Sequence, residues 1–532
     1  MPNSFAYIAL FCWPLVMVCF FALLPRAHAI ALSIIGGYLF LPVRAGFDLP
    51  ILPVVDKTLI PAMFTGILCL VMPDRALRAG SGGAAVLQAT RQRPIAEHGT
   101  GQRVTIQNRD AQGGQFAEAA GRDRVARAIL LSLFVLTLIA PFFTALTNPE
   151  PLVFGPRFLP GLRLYDAFSM ALAEGIYLLP FLIGWRYMAG PREQHVLTML
   201  LVLSGLVYSL GALFEVRMSP QLNTWIYGFF QHQFSQHMRE GGFRPIVFLG
   251  HGLALSMYLA VTVFGAVALW RQARAERKGS ANWILAAAWM FMTLVLSKSL
   301  GALAIAIGFG AVLIAAGKRP ITVFAAVIAT LVIIYPVLRG SGLSPVQYVY
   351  ETVNSFNAER AASFKYRLDN EDELLARANL KPLFGWGSWG RNRIFDPVTG
   401  DDDSVTDGDW IITIGVTGWL GYLARYGLLA VPLIFLARRR KAGQLTFVTA
   451  GLCLILAANL LDAIPNATIV PVTWLIAGSL AGFACREYAA RPSPSPAARV
   501  PEPAPQSEPA PPEPPPSPAA ARAPLRFTRT RG

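Results

Sequence analysis

Charge is scarce in this chain: Asp, Glu, Lys and Arg make up 14% of its 532 residues, against about 25% in a soluble globular domain. The shortage excludes an ordinary soluble domain, and a hydrophobic content of 54% points to a polytopic membrane protein. Cysteine is scarce too. The five cysteines (12, 19, 69, 453, 485) lie within or at the ends of apolar runs. None has metal-ligand spacing, so they read as packing residues and leave the redox compartment open. No internal repeat stands out, and Glu174 is the only carboxylate well inside an apolar run. Both absences count against a secondary transporter. The opening MPNSFAYIAL has neither a basic leader region nor an A-x-A pattern, so the first apolar run is expected to be retained.

Long apolar runs are what the chain has instead. Taking about 20 residues as a full crossing, the sequence predicts an all-α polytopic membrane protein of about thirteen transmembrane helices. They lie near 6–24, 28–43, 57–73, 127–146, 166–185, 194–213, 245–269, 281–296, 298–316, 320–338, 410–436, 444–461 and 467–484. The net charge of +15 invites a nucleic acid as partner. The arginines fall mainly in short loops between apolar runs, where they set topology, so no nucleic acid is expected. Basic clusters sit in 74–126, at Arg271–Lys278, at Lys318/Arg319 and at Arg438–Lys441. With all of them cytoplasmic, 214–244, the turn at 297–299 and 340–409 face the other side, the periplasm of a bacterial inner membrane. The organisation that follows has N-terminal spans in 1–73, a disordered basic loop in 74–126 and central spans in 127–338. A large helical periplasmic loop in 339–409, C-terminal spans in 410–486 and a Pro-rich disordered cytoplasmic tail in 487–532 complete it.

Polar residues collect on the predicted periplasmic side. Segment 214–244 carries Arg217, His232, His237 and Arg239 among aromatic residues and reads as a re-entrant or interfacial helix. Arg244 and His251 follow. With a helix already running at Arg244 they share one face two turns apart; Pro245 is alternatively the first helical residue. Lys298, in Ser297-Lys298-Ser299, sits at a tight hairpin and faces either headgroups or a cavity. From Glu351 to Asp409 there are twelve carboxylates against seven Lys and Arg. Helical periodicity over 345–379 predicts two amphipathic helices, with Arg367 in the second. The planar fork of Arg367 suits a phosphate, and the competing expectation is an i,i+4 pair with Glu371. Asp407 and Asp409 stand where the next span begins, and desolvation there raises a carboxylate toward a useful general base. Trp386 and Trp389 offer faces to a sugar ring, or anchor at the interface.

Taken in order, four motifs resemble those of the O-antigen ligase and polysaccharide polymerase superfamily of bacterial inner membranes. They are Arg244-Pro-Ile-Val-Phe-Leu-Gly-His251-Gly, Ser297-Lys298-Ser299, Arg367 followed by Pro382-Leu-Phe-Gly385-Trp-Gly387, and Asp407-Gly408 ahead of Gly418-Trp-Leu-Gly421. The resemblance covers about 200–440. It implies a glycosyltransferase whose donor is a glycan on undecaprenyl diphosphate, with membrane lipid and other polysaccharide assembly and export proteins as partners, and no metal or cofactor. Arg244, Arg367, Arg217 and Lys298 would hold the diphosphate. Asp407 or Asp409 would be the base, with His251 in reserve. The ligase branch carries His-Asn where this chain has Asp407-Gly408, and Arg where it has Leu300. Asp at that place is familiar in the polymerase branch, so a polymerase of exopolysaccharide or O-antigen type is the first expectation. A ligase transferring lipid-linked glycan to an acceptor such as lipid A-core is the second, and a membrane transporter or flippase of lipid-linked glycan the third.

Overall fold

The computed structural model describes residues 1–48, 53–74, 121–122, 124–239, 241–342, 346–356, 358–438 and 445–487. The disorder expected of the basic loop and the Pro-rich tail falls on 75–120 and 488–532, outside the described residues. The helices are α1 (Ser4–Leu23), α2 (Arg26–Phe40), α3 (Leu59–Val71), α4 (Arg124–Leu146), α5 (Leu164–Tyr177) and α6 (Leu179–Tyr187). They continue with α7 (Pro191–Met218), α8 (Leu222–Tyr227), α9 (Gly252–Ala275), α10 (Ala281–Leu296), α11 (Leu300–Ala315) and α12 (Lys318–Gly340). The last are α13 (Val346–Phe356), α14 (Ala358–Asn379), α15 (Asp409–Arg438), α16 (Phe447–Asp462) and α17 (Pro471–Ala484).

Each apolar run in the sequence has become helix, and the amphipathic 345–379 stretch has become the pair α13 and α14. Among the described residues, 7 helical stretches are long and apolar enough to cross a membrane: α1, Val125–Leu146, Leu164–Tyr187, α7, α9, α12 and α15. The remaining apolar helices, α2, α3, α10, α11, α16 and α17, have only 13 to 16 residues. At 1.5 Å per residue that is about 20–24 Å, short of a hydrocarbon core about 30 Å thick. Length alone therefore supports seven crossings and does not decide the other six.

Helix α9 is the hub. Every residue from Leu255 to Leu269 is buried, and α7, α10, α11 and α16 pack around it. Apolar solvent gives such helices little reason to associate beyond close packing, which favours small residues at the contacts. A Cβ on Gly205 would come within 2.6 Å of Thr262, and one on Gly451 within 2.4 Å of Ala268. On Gly478 of α17 it would meet the Phe181 carbonyl oxygen of α6 at 1.9 Å. No L side chain fits these positions.

The feature that ties the loops to the bundle is a break in α15. Gly418 has φ +67° and ψ −170°, so the helix is interrupted there and several backbone groups lose their partners. The turn Pro382–Gly387 replaces them. Trp386 and Gly387 N–H donate to the carbonyls of Gly415 and Val416 at 2.8 and 2.9 Å. In return Trp419 and Leu420 N–H donate to the carbonyls of Pro382 and Leu383 at 2.7 and 3.2 Å. The backbones approach so closely that a Cβ on Gly385 would lie 2.6 Å from Gly418 N. Thr144 of α4 and Asn148, just past its end, hold the turn. Thr144 donates to the Phe384 carbonyl at 2.7 Å and Asn148 to that of Gly385 at 2.9 Å. Beyond the turn, the buried Arg391 donates to the carbonyls of Trp386, Pro160 and Glu150. It thereby clips the following loop to the β-hairpin Leu152–Phe154/Arg157–Leu159.

Segment 214–244 is not the interfacial helix expected of it. Helix α7 runs on to Met218, and the short α8, a single 3-10 turn (Phe234–His237) and a small hairpin follow. Nor does a helix run at Arg244. Helix α9 begins at Gly252, where the His251 side chain caps it. The apolar pattern was real, but Pro220, Gly228, Gly241 and Pro245 punctuate it too often for a continuous helix.

Gly418→Ala is expected to destabilise the protein by at least about 2 kcal/mol, since its Cβ would sit 2.4 Å from the Leu383 carbonyl at a left-handed φ. Gly66→Ala in α3, with nothing within 4 Å, should be neutral or stabilising. Thermal melting of both variants in detergent checks this, and equal midpoints would mean that the interlock does not hold the fold.

Candidate functional site

The site is built first from a buried carboxylate. Glu215, in the last turn of α7, is fully buried. Its Oε2 accepts from Ile246 and Val247 N–H at 2.8 and 2.7 Å, and its Oε1 from Leu222 N–H at 3.1 Å. The Tyr208 hydroxyl accepts from Phe248 N–H at 2.9 Å. These bonds fix a loop in which Val247, a β-branched residue, has φ +53°. That conformation costs about 1–3 kcal/mol and persists only where the surroundings over-determine it.

The loop presents Arg244, which is buried. Its guanidinium donates to the Lys298 carbonyl at 3.3 Å, and its stem lies across Gly252, where a Cβ would meet its Cδ at 2.4 Å. Lys298 adopts φ +55°. Its ammonium reaches the Gly242 backbone, where a Cβ would be 2.6 Å away. It therefore points at the loop.

Three histidines meet beside Arg244. The His232 and His251 rings are 4.6 Å apart, and His237 lies 5.6 Å from His251. Their partners fix two of the tautomers. Leu253 N–H donates to His251 Nδ1 at 3.0 Å, so the proton of the neutral ring sits on Nε2. His237 Nδ1 faces the Arg244 carbonyl at 3.3 Å, which only accepts, so its proton is on Nδ1. Burial, then His232, His237, Arg244 and Arg367, push the His251 pKa down to about 3. His251 is thus a neutral donor through Nε2, and its one lone pair is already used. This corrects its reading as a reserve base. One ligand atom from each of the three rings falls within 4.8 Å of the others, close enough to hold a metal ion. Ligation by His251 would require it to give up the bond that caps α9.

Arg367, on α14, lies near enough to act on His251, and it pairs with Asp407 rather than Glu371: Nε to Oδ2 is 3.2 Å. Both side chains are about 40% exposed (41% and 37%), so the pair itself contributes little stability. Glu371 turns inward against Tyr335, Trp410 and Arg339 instead. Burial, only partly offset by Arg339, raises its pKa to about 7.

Asp409 parts company with Asp407. It is buried, accepts from the Tyr426 hydroxyl at 3.0 Å and pairs with Arg425 at 3.4 Å, while Arg425 also pairs with Glu174 at 3.3 Å. A carboxylate engaged on both oxygens inside the bundle is poorly placed to take a substrate proton, which leaves Asp407 as the accessible one of the two. Trp386 is buried too. Its indole N–H donates to the Arg377 carbonyl at 2.8 Å, and Arg377 and Lys381 stand over its ring at 4.4 and 4.8 Å. No face remains for a sugar, a second correction. Trp389 is 56% exposed and keeps its face open. Arg217 is exposed at the end of α7, and among the described residues it makes no ion pair with this cluster.

The amino-acid sequence does not single out Glu215, Arg425 or Glu371 as residues of the site. Arg425 did leave a signal, a lone charge inside the apolar run 410–436. The histidines left one as well, three within 232–251.

Asp409→Asn leaves Arg425 with one carboxylate and should cost about 2 kcal/mol or more, whereas Asp407→Asn should stay within about 1 kcal/mol. Equal melting temperatures for the two variants would contradict the division of roles. Glu371 adds a pH dependence. Its folded pKa is raised from 4.5 to about 7, so the folded state binds the extra proton and stability falls as pH rises across that window, by about 3 kcal/mol at most. Glu371→Gln should flatten the melting profile between pH 5 and pH 8 relative to wild type, and an unchanged slope would refute the assignment. No protein-family model matches the chain, and no curated protein matches it.

Proposed function

We propose that the chain is an inner-membrane polymerase of cell-surface polysaccharide, moving glycan from undecaprenyl diphosphate to a sugar hydroxyl of an acceptor on the periplasmic face. One observation carries this reading: two cationic pairs stand near His251, Arg244 on the Lys298 carbonyl at 3.3 Å and Arg367 on Asp407 at 3.2 Å, both near enough for their charge to act on the ring. In this reading all thirteen apolar helices cross the membrane, the basic segments and the C-terminus are cytoplasmic, and the site faces the periplasm.

The chemistry then follows from the residues. The acceptor oxygen attacks the anomeric carbon and gives its proton to Asp407. As the new C–O bond forms, the bond to the diphosphate breaks, and its electron pair stays on the departing oxygen. Arg244 and Arg367 remain charged when desolvated and offer paired donors to that growing charge. Lys298 adds a point charge, and His251 a neutral N–H donor. Trp389 is the face on which a sugar ring stacks.

The test is the length profile of lipid-linked and secreted glycan in a deletion strain carrying wild-type, Arg367→Ala or Asp407→Asn copies. Each variant should accumulate single repeats on the lipid carrier and make at least about 100-fold less polymer at normal protein level. Wild-type polymer in both variants would overturn the reading. Long lipid-linked chains with loss of surface-attached glycan would replace polymerase by ligase.

A further inference from the structure

The helix ends far from Arg244 in sequence hold a second feature, independent of the proposed reaction. Between the start of α4, the end of α6 and the end of α17 lies a cleft of about 330 Å³. Its walls are apolar: Leu131, Leu182 and Trp185 line it, and Gly482 forms part of the floor. Gly482 is required by close packing, since a Cβ there would lie 2.4 Å from the Trp185 carbonyl oxygen. Leu131 is 42% exposed, so the cleft continues into the apolar outer surface of the bundle. Arg127 and Arg186 stand at the rim. Both are exposed, and among the described residues neither has a carboxylate partner; Arg186 rests only over the Tyr187 ring at 5.5 Å.

We propose that this cleft binds an anionic phospholipid, with the headgroup phosphate between Arg127 and Arg186 and an acyl chain along Leu131, Leu182 and Trp185. The shape selects an amphiphile: an apolar trough open to the outer surface, with two exposed arginines at one end. A small polar anion would leave the trough unfilled, and a zwitterionic lipid would gain less from a paired cationic rim than an anionic lipid would. Arg127 lies in the first turn of its helix and Arg186 in the last turn of its own. The charges therefore sit at the level where basic side chains meet headgroups.

The experiment uses the full chain, purified in detergent and incubated with mixed micelles of phosphatidylglycerol and phosphatidylcholine of identical acyl chains, then examined by native mass spectrometry. Wild type should retain one phosphatidylglycerol in preference to phosphatidylcholine. The double variant Arg127→Ala/Arg186→Ala should lose that preference by roughly tenfold or more. Arg319→Ala, an exposed arginine elsewhere, should retain the lipid as wild type does. Leu182→Trp, which fills the trough and leaves both arginines, should lower retention of both lipids. Equal retention of the two lipids by wild type, or an unchanged preference in the double variant, would overturn the proposal. So would retention that appears only after removal of 488–532, which would make the acidic residues of that segment the occupant.

Discussion

A helix interrupted inside an apolar layer must find new partners for the backbone groups it releases, and this structure depends on how that need is met. The break at Gly418 exposes amides and carbonyls that cannot be left bare where no water reaches them. The Pro382–Gly387 turn supplies four bonds to them. The exchange is reciprocal, because the turn has no regular structure of its own and its amides need the same partners. Both glycines at the contact have positive φ, the one backbone state that lets two main chains come this close without a Cβ between them. A loop that would otherwise be loosely tethered is thus registered against the bundle, and the positions of Arg367 and Asp407 on either side of it follow.

Two kinds of charge pairing divide the labour above and below that junction. Arg425 sits among Asp409, Glu174 and Tyr426, where desolvating the ions is expensive and removing one partner is costly. It acts as a rivet between α5 and α15. Arg367 and Asp407 are half exposed, and their attraction is screened. Their pairing is cheap to open, which is what a site requires if a substrate is to replace one partner with its own charge. The loop ahead of α9 uses a third device. Glu215 holds three backbone amides with one carboxylate, and its strength allows Val247 to remain in a conformation that nothing local favours.

Much was legible in the sequence. Hydrophobic content and run length gave the helical membrane class, because burial of apolar segments in an apolar layer depends on composition more than on partners. The amphipathic pair in 345–379 appeared as read, Arg244 lies against Lys298, and Arg367 pairs with Asp407. Other readings failed for identifiable reasons. The aromatic stripe in 214–244 carried a helical period but too many breakers. The i,i+4 spacing of Arg367 and Glu371 offered a local pair, and a tertiary one with Asp407 took its place. Trp386 and Trp389 look alike in sequence, yet one is clamped by two cations and the other is bare.

The chain by itself determined where helices form and which residue types could do chemistry, since propensity, periodicity and charge act over a few turns. Only the tertiary structure decided which of two aspartates two residues apart is buried and which is accessible. It also decided which nitrogen of His251 carries the proton, and that the glycine turn fits the helix break. Those outcomes rest on contacts between segments tens to hundreds of residues apart. Backbone closure and desolvation, rather than spacing along the chain, set the energies there.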